Sequence, residues 1–167
     1  NDTGPSVTLQ FSAATYSISE ASATATVTVT RTGGTAGGMT VNYAASIGTA
    51  QSGSDFTAAS GTLSFGAGVL SKTFTVAIGR DTLDESDETV ALTLSNPTGG
   101  ATLGTPAAAV LTIGDNDAGG VLKFGAATYS VSEASASVTV TVTRSGGTAR
   151  GVTVDYSTRG GTGTAGW

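Results

Sequence analysis

Oxygen is the only ligand chemistry this chain has in quantity. Of its 12 acidic residues, nine fall in four short stretches: Glu20; Asp55; Asp81, Asp84, Glu85, Asp87 and Glu88; and Asp115 and Asp117. His and Cys are both absent. No nucleophile can therefore be paired with an imidazole base, and no catalytic role is expected. Clustered carboxylates without imidazole or thiolate are the donor set of a hard cation. Calcium accepts roughly 6 to 8 oxygens from carboxylates and carbonyls in flexible geometry, whereas zinc and copper prefer nitrogen and sulfur. Magnesium, with its stricter geometry, ranks second.

Strands must carry these acids. Ala25-Thr26-Val27-Thr28-Val29-Thr30 alternates apolar and hydroxyl residues with period two, the pattern of a half-buried strand. Comparable stretches run over Val7–Phe11, Met39–Ala44, Thr62–Phe65, Leu70–Ile78, Thr89–Leu94 and Ala109–Ile113, separated by turns such as Gly33-Gly34 and Asn96-Pro97-Thr98-Gly99-Gly100. Seven short strands without helical periodicity predict an all-β fold, a seven-stranded antiparallel immunoglobulin-like sandwich.

With successive strands reversing direction, the first, third, fifth and seventh end at one pole. Glu20, Asp55, the Asp81–Glu88 stretch and Asp115-Asn116-Asp117 follow those four strands, so the nine acids gather there. Unscreened, they repel one another. Glu88 shares the phase of Val90, Leu92 and Leu94, which aims its carboxylate over the end of the core, where it needs a metal or a hydrogen-bond partner. An acidic loop alone is more often simply solvated. Convergence of four strand exits is what argues for an ion.

The pattern is repeated. Leu9 to Gly53 reappears at Leu122 to Gly166 with an ungapped offset of 113 positions: Ala13-Ala14-Thr15-Tyr16-Ser17-Ile18-Ser19-Glu20 returns as Ala126-Ala127-Thr128-Tyr129-Ser130-Val131-Ser132-Glu133. A unit of that length exceeds solenoid repeats and can bury its own core. The expected organisation is a tail of a preceding copy at 1–6, a complete domain at 7–117, a linker at 118–120 and the first part of a second domain at 121–167. That second part supplies only the first three strands, so Phe124, Val140, Val142 and Val154 lack a covering sheet. Further chain, or strands of another copy joined head to tail as a filament, would cover them.

Composition closes other routes. The net charge of −5 and the scatter of the seven basic residues disfavour nucleic acid. No apolar run approaches a membrane span. The threonine rows Thr24-Thr26-Thr28-Thr30 and Thr139-Thr141-Thr143 suit the solvated face of a strand better than an ice-binding surface. Gly160-Gly161-Thr162-Gly163 lacks the Lys-Ser/Thr of a phosphate loop, and Asn1-Asp2-Thr3 is a formal glycosylation sequon.

Tyr16-Ser17-Ile18-Ser19-Glu20, Val27 to Gly34, Gly53-Ser54-Asp55-Phe56, Asp81 to Glu88 and Ile113-Gly114-Asp115-Asn116-Asp117 together resemble a Calx-beta domain. The resemblance covers one whole domain and the first half of another. It implies a seven-stranded sandwich that binds calcium at one pole, with Glu20, Asp55, Asp81, Glu85 and Glu88 as ligands, the Leu83 backbone carbonyl among them, and Asp115 and Asp117 from the last strand's exit. Arg80 stands where calcium-binding relatives often carry Asp, and Asn116 replaces the middle acid of a triplet, so fewer or weaker ions are expected. In the second copy only Glu133 is present.

The expected function is a calcium-binding structural or adhesive module of a secreted or cell-surface protein. Its partners are neighbouring repeats, and an ion holding Asp115 and Asp117 would stiffen the junction. A calcium-sensing regulatory module is the first alternative. An accessory carbohydrate-binding module is the second, and it would need an exposed aromatic platform.

Overall fold

The computed structural model describes residues 6–162, so residues 1–5 and 163–167, with the sequon and Trp167, lie outside the described residues. Two compact units are present, the first running to Asp81 and resuming over Glu85–Asn116, the second comprising Thr82–Asp84 and the chain from Asp117. All regular structure among the described residues is β, and no helix is long and apolar enough to cross a membrane.

In the first unit nine strands form two sheets. β1 (Thr8–Phe11), β3 (Thr24–Thr32), β6 (Ser71–Ala77) and β8 (Thr102–Leu103) assemble in the order β6-β3-β1-β8. β2 (Thr15–Ser19), β4 (Met39–Ile47), β5 (Ala59–Phe65), β7 (Glu88–Ser95) and β9 (Ala108–Gly114) assemble in the order β2-β9-β7-β4-β5. Phe11, Val27, Val29 and Val76 from one sheet and Val41, Phe65, Leu92 and Leu111 from the other are buried in a shared core, the packing of a β-sandwich. Alternation places them there: β3 buries Ala25, Val27, Val29 and Arg31 while its threonines face outward. Arg31 closes the far end of that row by donating to the Gly66 and Ala36 carbonyls.

The expected count of seven is corrected to nine, and the sheets are not wholly antiparallel. The first predicted strand extends past Phe11, breaks at Ser12–Ala14 and changes sheets, so β1 pairs with β3 while β2 runs parallel to β9. Tyr16 holds the break. Its hydroxyl donates to the Thr28 carbonyl at 3.0 Å and accepts from the Ala13 N–H at 3.3 Å, while its ring meets Phe11 edge-on. The added β8 is two residues long and runs parallel to β1.

The second unit, taken by itself, has one antiparallel pair, β10 (Val121–Phe124) with β11 (Val142–Ser145). Phe124, Val140, Val142 and Val154 are 61%, 47%, 44% and 53% exposed, whereas their counterparts 113 positions earlier, Phe11, Val27, Val29 and Val41, are fully buried. Local hydrogen bonds nevertheless recur. Tyr129 donates to Thr141 and accepts from Ala126, and Arg144 donates to Ala149, each 113 positions after its equivalent.

Core depth sets the cost of truncation in the first unit. Leu92→Ala, at a fully buried site between the sheets, should lower unfolding free energy by about 2–5 kcal/mol, and Ile47→Ala, 63% exposed, by less than about 0.5 kcal/mol. Denaturant titration of the two variants measures the contrast, and equal losses would contradict the placement of Leu92 in the core.

Candidate metal centre

The registers bring the acidic exits together even though the topology is not up-and-down. Ser19 lies opposite Gly114, Glu88 opposite Ile113 and Ile47 opposite Val90, so the ends of β2, β9 and β4 and the start of β7 share one pole. Thr24 opposite Ala77 brings the end of β6 beside the chain leaving Glu20.

Two threonines tie the loop bearing Asp55 to β7. The Thr49 N–H donates to the Thr89 hydroxyl at 3.1 Å and the Thr89 N–H to the Thr49 hydroxyl at 2.8 Å. The approach is close enough to require glycine at position 48, because a Cβ there would stand 2.4 Å from the Thr89 carbonyl oxygen. On the other flank a Cβ at Gly79 would lie 1.7 Å from the Ser54 carbonyl oxygen, and the Gly79 N–H donates to the Asp55 carbonyl at 2.8 Å. Phe56, fully buried, anchors the turn from inside.

A small pocket results, lined by Glu20, Asp55, Gly79, Asp81, Glu85, Ser86, Glu88, Ile113 and Asp115. Its carboxylates meet backbone amides. Glu20 Oε1 accepts from the Asp81 N–H at 2.9 Å, Asp55 Oδ2 from the Gln51 N–H at 2.6 Å, and Asp115 Oδ2 from the Glu85 N–H at 3.1 Å. One oxygen each of Asp55, Asp81 and Glu85 lie within 4.8 Å of one another. Oxygens bound on opposite sides of a calcium ion are about 4.6–5.2 Å apart, twice the metal–oxygen distance, so this spacing and the all-oxygen donor set fit calcium.

Charge crowding shows in the protonation of the pocket. Glu88, half-buried over Ile113, has its pKa raised to about 7, first by burial, then by a hydrogen bond with Asp55 and by repulsion from Asp55, Glu85 and Glu20. Burial also opposes the ionised form of Asp55, but the Gln51 N–H, Ser54 and Glu88 outweigh it and hold its carboxyl below the ordinary value. A divalent ion beside the pair would favour the ionised form of both carboxyls.

Six of the eight ligands that the resemblance implies, Glu20, Asp55, Asp81, Glu85, Glu88 and Asp115, line this pocket. Leu83 and Asp117 fall in the second unit, where Asp84 accepts the Gly119 N–H at 2.8 Å. The pocket also enlists Gly79 and Ser86, which sequence reasoning missed. Close approach to Ser54 demands the glycine, and that contact spans segments with no shared sequence signal.

Opposite pH signatures follow. Glu88 is raised, so without the ion folded-state stability is greatest below the ordinary glutamate value of 4.5 and declines as pH rises to about 7. Asp55 is lowered, so its contribution is present above its ordinary 3.8 and is lost as pH falls through its lower folded value. Melting in chelator from pH 4.5 to 7.5 should therefore show a falling midpoint that Glu88→Gln flattens; an unchanged slope in that variant would remove Glu88 as its source.

Comparison with known proteins agrees with the geometry. The Calx-beta domain family model matches residues 2–117 and again residues 115–167. The chain is 30% identical over 158 residues to the sodium/calcium exchanger Calx of Drosophila melanogaster, a match covering 95% of this chain but 17% of that protein's length. The crystal structure of the apo-form Calx CBD1 domain superposes with a TM-score of 0.64 at 32% identity, covering 66% of this chain and 98% of that one. The crystal structure of calcium binding domain CBD12 of CALX1.1 gives 0.65 at 31% identity, over 75% and 51% respectively. The chain belongs to the Calx-beta domain family.

Proposed function

We propose that this chain is a calcium-binding module that serves as a structural or adhesive repeat of a secreted or cell-surface protein. The observation that carries the calcium reading is the pocket at the strand exits, where the Asp55, Asp81 and Glu85 oxygens stand at the separations a calcium ion spans. A solved relative described as a calcium binding domain supports it. The ion would be held by Glu20, Asp55, Asp81, Glu85, Glu88 and Asp115, and it would neutralise their repulsion. The structural-repeat role is supported by the 113-residue repeat and by a composition rich in Ser, Thr, Gly and Ala without Cys. A regulatory calcium-sensing module is the second reading, favoured by the match to a sodium/calcium exchanger across 95% of this chain. Identification of the segments flanking these repeats decides between the two.

Calcium should raise the melting midpoint, because an ion bound only by the folded pocket stabilises it by about 2.7 kcal/mol at a hundredfold excess over its dissociation constant. Magnesium should do less. Identical melting curves in chelator and in millimolar calcium would refute the reading.

Asp81→Asn and Glu20→Gln should each weaken calcium binding without unfolding the ion-free chain. Each substitution removes a charge, and Glu20→Gln keeps an oxygen to accept the Asp81 N–H. Titration calorimetry giving wild-type affinity for both would contradict their assignment as ligands.

A further inference from the structure

Asp87 belongs to the acidic stretch and yet does not line the ion pocket. Asp87 precedes β7, whose first residue, Glu88, is the one that lines the pocket. Asp87 is exposed and borders a separate open depression with Ser17, Ser19 and Thr112. From there its Oδ1 accepts the N–H of Asp115 at 3.2 Å. That amide lies one residue beyond the last register pairs of β9, Glu88 with Ile113 and Ser19 with Gly114. The Asp87 carboxylate therefore takes the place of the next ladder partner. Asp115 in turn accepts the Glu85 N–H through Oδ2 at 3.1 Å, so one relay runs from Asp87 through Asp115 to Glu85, and the last two line the pocket.

We propose that Asp87 is a positioning residue for the ion pocket, holding the backbone of Asp115 from outside and, through it, the Glu85 loop. The proposal rests on the calcium reading above. The side-chain oxygen of Asp87 accepts a backbone amide, and it can do so without touching the ion. Groups that orient a metal's ligands commonly change affinity by about 10–100-fold when removed, and the exposure of Asp87 places it at the low end of that range.

The test compares Asp87→Ala with Asp87→Asn in the full chain. Both remove the same charge, but only Asn keeps an oxygen that can accept the Asp115 N–H. Calorimetric titration with calcium should show affinity about tenfold weaker in Asp87→Ala and within about threefold of wild type in Asp87→Asn. In chelator, hydrogen exchange at the Asp115 amide should accelerate in Asp87→Ala and stay near the wild-type rate in Asp87→Asn, with similar melting midpoints for all three proteins. Equal weakening in both variants would make Asp87 a ligand or a simple charge and overturn the proposal, as would wild-type affinity in both. A wild-type chain that binds no calcium would refute the reading of the pocket itself, and the Asp115 exchange rates would still decide whether Asp87 holds that backbone.

Discussion

Repulsion among carboxylates at one pole is the constraint around which the first unit is arranged. Two unit charges about 4 Å apart cost on the order of 1 kcal/mol in water and about 4 kcal/mol near a protein surface, and this pole brings together Glu20, Asp55, Asp81, Glu85, Glu88 and Asp115. The ion-free fold relieves part of that cost in two ways. Glu88 has its pKa raised to about 7, and the carboxylates of Glu20, Asp55 and Asp115 accept backbone amides of Asp81, Gln51 and Glu85.

Those same amide bonds shape the loops. An acidic segment such as Asp81–Glu88, with Leu83 as its one apolar residue, has little reason to hold one conformation; each carboxylate that accepts an amide from it removes part of that freedom. The supporting frame is built from close backbone approaches. Thr49 and Thr89 exchange hydrogen bonds across a gap only glycine at position 48 permits, and Gly79 rests against Ser54.

Repetition separates what is local in this design from what is not. The Tyr16 and Arg31 hydrogen bonds recur at Tyr129 and Arg144, since both partners of each lie within about a dozen residues and travel with the repeated segment. Burial does not travel with it. Val27 and Val140 occupy the same position in the repeat, yet the first is fully buried and the second about half exposed, because burial requires a facing sheet supplied from elsewhere in the chain.

The all-β class, the seven principal strands and the strand faces were legible in the residues, because period-two alternation is a local signal: Ala25, Val27 and Val29 point inward and their threonines outward as the pattern demands. The convergence of Glu20, Asp55, Asp81 and Asp115 was also legible, since the side of the domain at which a strand ends depends on the order of reversals. The break at Ser12–Ala14, the parallel pairings β2–β9 and β1–β8, and the extra β8 were decided by tertiary structure. A strand's choice of sheet depends on which distant edge is open to it, and its own residues do not record that. Which carboxylates keep a proton and which accept amides was likewise settled only in three dimensions. The phase of Glu88 marked it in sequence as needing a partner, but its burial, the Gln51 N–H that Asp55 accepts and the approach of the two carboxyls, which together move their pKa values in opposite directions, arise only in the fold.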